Sequence, residues 1–272
     1  MSCGIDSMYM LIRHLNSEFS AHNLTHLTIF NIGAFSNKKQ FSWQCNHASQ
    51  IAGEVGLPLI QVDSNFAEVI PESHVLTNSY RNLSLVFLLQ KLFGRYYLSS
   101  TGYGIKTFSI ENNDLRDCAY YDVLTCSCLS NTRLQFHSDG AAVTRLEKTK
   151  TIINSPLAQK YLHVCVADQG DNCGLCPKCR RTLLTLDALG ALDSFKSILP
   201  VDIYKEHRRE YYGYMFGQVL LGEEGDHFIP EIYDLLKSKV LFSSRLLGLY
   251  YACRRRLTKI RILRKIYSQL LK

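Results

Sequence analysis

Six prolines and sixteen glycines among 272 residues are too few for a collagenous or low-complexity chain. A run of about 18 apolar residues is also missing, so no membrane-spanning helix is expected. The opening, MSCGIDSMYML, has neither the basic start nor the small-residue cleavage site of a secretory signal, and we expect a cytoplasmic protein. Nor does the chain show the low hydrophobicity of disorder. Apolar residues make up 46%, enough to bury the core of an α/β domain with an appendage. Finally, acidic residues are absent from positions 253–272. That stretch holds eight basic ones: Arg254, Arg255, Arg256, Lys259, Arg261, Arg264, Lys265 and Lys272. Without them 23 Lys/Arg face 24 Asp/Glu, a formal −1 against +7 for the whole chain. The basic character belongs to the tail.

What is present is an alternation of helix and strand patterns. Met8, Leu11, Ile12 and Leu15 share one helical face and predict a helix over 7–19. Apolar runs predict strands over 24–30, 59–62, 95–98 and 161–166, with helices over 43–55 and 83–93 between them. Strands alternating with helices of this length imply βαβ units and a mainly parallel sheet. Beyond Arg180 the patterns are helical only, and the apolar stretch 241–251, interrupted by Arg245, reads as a core helix.

Ten cysteines in a chain this long are not needed as a disulfide scaffold, and four of them cluster. Cys173, Cys176 and Cys179 have two-residue gaps, and Cys165 lies upstream. A Cys-x2-Cys turn aims both thiolates at one ion, and Gly174 allows the turn to be tight. Four thiolates make a closed tetrahedral Zn2+ site, structural rather than catalytic. An iron–sulfur cluster is the competing occupant, and ordinary buried thiols are the plain reading. Cys126 and Cys128 read as small core residues on a strand, with a metal or redox pair as the alternative.

Ser2-Cys3-Gly4-Ile5-Asp6-Ser7 precedes the first predicted helix. A small glycine-containing loop there offers amide donors and the positive end of the helix dipole to an anion. The hydroxyls of Ser2 and Ser7 add donors. Asp6, repelled by bare phosphate, either orients the loop or holds Mg2+. The plain alternative is that Asp6 or Ser7 caps the helix.

The loop and the cysteine segment together resemble a known family. Ser-Cys-Gly-Ile-Asp-Ser is similar to the S-G-G-x-D-S pyrophosphate loop of PP-loop ATP pyrophosphatases. Residues 170–181, GDNCGLCPKCRR, resemble the zinc segment of the 7-cyano-7-deazaguanine synthases of queuosine precursor synthesis, in which a cysteine slightly upstream completes the site, as Cys165 would here. The resemblance, over residues 1 to about 190, implies a Rossmann-like parallel α/β sheet of HUP/PP-loop type with a small cysteine zinc site and a helical C-terminal part. The division it implies is 1–164 nucleotide-binding, 165–190 zinc-binding with the following helix, and 191–272 helical with a basic amphipathic tail.

It also implies an enzyme that uses ATP and Mg2+ to adenylate a carboxylate or amide oxygen of a small acceptor for attack by a nitrogen nucleophile. By position, Ser2, Cys3, Gly4, Ile5, Asp6 and Ser7 would hold the phosphates, and Asn31, between Phe30 and Ile32, would lie near the adenine. Thr144-Arg145-Leu146-Glu147 stands where the synthase has Ser/Thr-Lys-x-Glu, so Arg145 or Lys148 would supply positive charge in the transition state. Cys3 replaces a loop glycine. Only Met1 precedes the loop, where the family has a strand, so a sheet lacking its first strand is expected. The family's substrate segment is only faintly echoed at 100–104, so a different acceptor is expected.

In the tail, Leu257, Ile260, Leu263, Ile266, Tyr267, Leu270 and Leu271 fall at helical spacing. A docked terminal helix, an anionic-membrane contact and a nucleic-acid contact are the readings left open. For the whole chain the alternatives to an adenylating enzyme are a zinc-ribbon module binding nucleic acid and a sulfur-transferring tRNA-modifying enzyme. A homodimer is left open.

Overall fold

The computed structural model describes residues 1–15, 17, 22–35, 37–101, 105, 117–167 and 170–270, with backbone alone over 260–270. The echo of the substrate segment at 102–104, and the tail stripe from Ile260 onward, lie outside the described side chains. The fold is mixed α/β. Its elements are α1 (Ile5–Leu15), β1 (Leu27–Asn31), α2 (Lys38–Val55), β2 (Leu59–Asp63), α3 (Phe66–Val69), α4 (His74–Leu88), β3 (Arg95–Ser99), α5 (Asp122–Leu129), β4 (Gln135–Asp139), α6 (Arg145–Ile152), α7 (Pro156–Tyr161), α8 (Pro177–Ala188), α9 (Val201–Glu206), α10 (Arg208–Leu221), α11 (Ile229–Leu236) and α12 (Phe242–Leu270). The chain divides into two compact units, Met1–Asp171 and Asn172–Lys272.

Among the described residues, the first unit carries two parallel two-stranded ladders. β1 pairs with β2 from Leu27↔Leu59 to Asn31↔Asp63, and β3 pairs with β4 from Arg95↔Gln135 to Ser99↔Asp139. β1 buries Leu27, Ile29 and Phe30, each contributing roughly 1.5–3 kcal/mol of apolar burial. Phe30 also stacks on Tyr96 of β3, ring centroids 6.2 Å apart, so the ladders share a core with Leu83, Val86, Leu134 and Phe136. A cavity of about 220 Å³ is lined from both ladders, by Leu27 and Thr28 on one side and Arg95, Tyr96 and Tyr97 on the other. The Met1 amine enters it and donates to the Thr28 carbonyl.

Three expectations are corrected. Residues 162–166 form no strand. They lie beside the N-terminal loop, where His163 N–H donates to the Cys3 carbonyl at 2.9 Å, and among the described residues no strand pairs with them. The fourth strand is Gln135–Asp139. Cys126 and Cys128 sit on α5, a helix and not a strand. The helix expected over 83–93 begins earlier and ends earlier, at His74 and Leu88.

Asp122, at the start of α5, is 2% exposed, and its Oδ1 is buried without a hydrogen-bond partner. Burial raises the carboxyl from its ordinary 3.8 to about 7, against an opposing hydrogen bond from Ser79. The folded state therefore holds this proton more tightly than the unfolded chain does. The resulting stabilisation is complete below about pH 4 and is lost as pH rises through about 7. Asp122→Asn, neutral throughout, is expected to raise the melting temperature at pH 8 and to lose that advantage near pH 4. Thermal melts at the two pH values check this, and an equal shift at both would refute it.

In the second unit α10 and α12 meet backbone to backbone. A Cβ on Gly248 would stand 2.7 Å from the Gly213 carbonyl oxygen and 2.8 Å from the Gly217 nitrogen. One on Gly217 would stand 2.7 Å from the Tyr251 ring. Gly213-x-x-x-Gly217 and Gly248 together make the notch that lets the axes approach.

Candidate functional site: an anion cradle and a four-cysteine centre

Helix α1 presents its N-terminus to the chain's first residues, and its first-turn amides have no intrahelical acceptor. Cys3 adopts φ 61°, the left-handed region that glycine occupies freely, and it is the only described non-glycine residue to do so. Its side chain is fully buried, and Sγ accepts a hydrogen bond from Gln44 Nε2 at 3.3 Å. Burial pushes its thiol up to about 12. The sulfur thus points into the core. Ser2 Oγ and Ser7 Oγ lie 3.1 Å apart, and Ser7 Oγ donates to the Gly4 carbonyl at 3.1 Å. Ser7 and Ile5 are buried, while Gly4 and Asp6 are half-buried.

Helix α6 supplies the opposing charge. Thr144 is its N-cap in a capping box: Thr144 Oγ1 accepts from Glu147 N–H at 3.3 Å, and Glu147 Oε2 accepts from Thr144 N–H at 2.6 Å. Glu147 thus fixes the helix start. Arg145 and Lys148, three residues apart and so on one face, both reach α1. Arg145 Nη2 donates to Asp6 Oδ2 at 2.5 Å and to the Thr101 carbonyl at 2.9 Å. Lys148 Nζ donates to Asp6 Oδ1 at 3.2 Å and to the Ser100 carbonyl at 2.5 Å. Lys148 is 1% exposed. Burial lowers its pKa from the ordinary 10.5, and the Asp6 carboxylate opposes that shift.

The structure therefore brings together Ser2, Ser7, Asp6, Arg145 and Lys148 across about 140 residues of sequence. Asp6 lies between the two cations. Its Oδ2 accepts from Arg145 and its Oδ1 from Lys148. Asn31 lies at the C-terminal end of β1. Its amide donates to Asp63 Oδ1 at 2.7 Å and its carbonyl accepts from Gly33 N–H at 3.3 Å, so it braces the ladder end.

Ser100 and Thr101 fall in the faint substrate-segment echo at 100–104, with nothing in it to mark them as partners of Arg145 and Lys148, and no sequence signal singles out Asp139. Thr101 Oγ1 is buried without a partner beside Arg145. Asp139 ends β4 and accepts from Arg13 at 2.9 Å and pairs with His14 at 3.0 Å. The hydrogen bond to Asp139 raises the His14 pKa against the pull of burial. Asp139 is thereby neutralised by its own partners.

The second centre is the cysteine segment. The Sγ atoms of Cys165, Cys173, Cys176 and Cys179 all lie within 4.8 Å of one another. Three backbone amides donate to these sulfurs: Ala167 to Cys165 at 3.3 Å, Cys176 to Cys173 at 3.3 Å and Cys179 to Cys176 at 3.4 Å. Such bonds stabilise thiolate charge and orient ligands. Gly174 turns at φ 74°, as its place between two ligands requires, and its carbonyl accepts from Tyr211 Oη at 3.0 Å. Cys176 is also the N-cap of α8, with Pro177 at the first helical position. Four sulfur donors at this separation fit a tetrahedral metal ion. Among the described residues no helix is long and apolar enough to cross a membrane. Comparison with protein-family models, curated proteins and solved structures finds no significant match to this chain.

Proposed function

We propose that this chain is an ATP-dependent adenylating enzyme of PP-loop type. One observation carries the reading. Two cations, Arg145 and Lys148, meet the Asp6 carboxylate between the N-termini of α1 and α6, while Glu147 is spent in the α6 capping box and Asp139 is held by Arg13 and His14. Two helix N-termini and two cations gathered in one partly buried place favour the binding of a polyanion. The resemblance of the loop to a pyrophosphate-binding sequence names the anion as the phosphates of ATP. On this reading the two parallel ladders are the flanks of a Rossmann-like sheet.

In the proposed reaction, a carboxylate or amide oxygen of a small acceptor attacks the α-phosphorus of ATP. The bond to the bridging oxygen breaks, and pyrophosphate leaves with that electron pair. A nitrogen nucleophile then attacks the adenylated carbon, losing a proton, and AMP departs with the acceptor's oxygen. Ser2, Ser7 and the first-turn amides of α1 hold the pyrophosphate. Lys148 and Arg145 offset the charge that develops on it, and Asp6 holds both cations in place. Mg2+ accompanies ATP without an assigned protein ligand. Cys165, Cys173, Cys176 and Cys179 would hold Zn2+ with four thiolates, and a closed site of that kind would serve structure. A sulfur-transfer reading fares worse, because the cysteine beside the cradle is buried and its thiol holds its proton.

The test is incubation of the purified chain with MgATP and a panel of small carboxylic acids and amides, alongside calorimetric titration with ATP. Saturable ATP binding and acceptor-dependent release of AMP and pyrophosphate are expected. An absence of any saturable nucleotide binding would sink the proposal.

A further inference from the structure

Helix α12 has two apolar faces, and only one is used. Ser244, Gly248 and Ala252, spaced by four, are buried in the second unit, with Gly248 against α10. Phe242, Leu246, Leu249, Tyr250 and Leu257 are 75, 51, 45, 64 and 58% exposed. At 3.6 residues per turn these five and the exposed Cys253 fall within one sector of about 100°, turned away from the buried face. Arginines border the sector on both sides: Arg245 and Arg256 along one edge, Arg254 along the other. The helix carries no acidic residue. Two of its cations have partners on the body: Arg256 donates to the Leu220 carbonyl and Lys259 pairs with Glu224. Arg245 and Arg254 are exposed beside the stripe.

We propose that this face of α12 docks on an anionic membrane surface. An apolar stripe edged by long cationic side chains matches a lipid interface. Rings and leucines enter the acyl boundary while the guanidinium groups stay at the level of the phosphates. The charge pattern disfavours the other occupants. Two copies of α12 packed stripe to stripe would bring arginine edges together with no carboxylate to answer them. Nucleic acid would satisfy the arginines but leave the stripe in water. The helix lies on the surface and does not cross it.

The experiment is co-sedimentation of the full chain with vesicles of phosphatidylcholine alone and of phosphatidylcholine mixed with phosphatidylserine. Binding is expected only to the second, and it should weaken with added salt. Leu246→Gln with Leu249→Gln, and separately Arg245→Gln with Arg254→Gln, should each lower partitioning by about tenfold or more. All four positions are solvent-facing, so the melting temperatures should stay near that of the parent. As a check that does not depend on those variants, Tyr250→Trp should shift its emission to the blue on phosphatidylserine vesicles. The proposal is overturned by equal binding to neutral vesicles or by none to either. It is also overturned by tight binding to duplex RNA or DNA that the leucine pair leaves unchanged. A dimer in light scattering that the leucine pair dissolves would assign the face to a second copy instead.

Discussion

Cys176→Ser is expected to abolish stoichiometric metal retention and to cost the chain more than about 4 kcal/mol, the scale on which losing a structural metal stands apart from ordinary substitutions. Serine isolates the metal from the helix. Cys176 does two things: it lies with three other thiols within 4.8 Å, and its side chain caps α8 by accepting from the Cys179 amide. Serine is among the preferred N-cap residues, so the variant keeps the cap while removing a sulfur ligand. Cys176→Ala removes both and should fall lower by about 1 kcal/mol. Metal content by plasma mass spectrometry and unfolding in urea measure the two effects. If Cys176→Ser keeps parental stability once its metal is gone, the centre is not structural. A chelator should bring the parent protein down to the level of the serine variant.

Lys148→Met is expected to cut AMP formation by roughly 10²–10³, the cost of removing one preorganised charge from a developing anion, while leaving the fold intact. Methionine fills a similar space, and Asp6 keeps its contact with Arg145 at 2.5 Å. The buried lysine's desolvation cost, which lowers its pKa, disappears with it. Asp6→Asn should behave in the opposite way. It leaves Lys148, 1% exposed, without its carboxylate and is expected to destabilise the first unit by about 3–5 kcal/mol. Paired thermal melts and ATP assays separate these outcomes. A Lys148→Met protein that turns over ATP at the parental rate would remove Lys148 from the chemistry.

Local chemistry made much of this legible in the sequence. The strands of β1, β2 and β3 were visible because Leu, Ile, Phe and Tyr run together there, and the end of α2 at Val55 because a glycine, Gly56, follows it and takes the left-handed cap at φ 69°. Strand β4 was invisible: Gln-Phe-His-Ser-Asp has no β-branched residue, and its pairing partner Arg95–Ser99 lies some 40 residues away. The converse error at 161–166 has the same origin. Tyr, Val and Cys favour extended backbone, but Tyr161 closes α7, and a strand needs a neighbour that propensity does not see. The cysteine centre was readable because its spacing is itself geometry. The Asp6–Arg145–Lys148 cluster was reached through resemblance, since nothing local to position 6 announces a contact 139 residues away. The backbone carbonyls of Ser100 and Thr101, which share those two cations, carry no side-chain signature at all.

The glycine notch between α10 and α12 has a consequence for the far side of α12. A helix seated through ordinary side chains can settle at several rotations, each repacked at modest cost. One seated through Gly213, Gly217 and Gly248 has a single permitted bearing, because turning it by one residue, about 100°, would drive a side chain into the Gly213 carbonyl. Three absent side chains thus act as a keyway. They set the compass direction in which Phe242, Leu246 and Leu249 face.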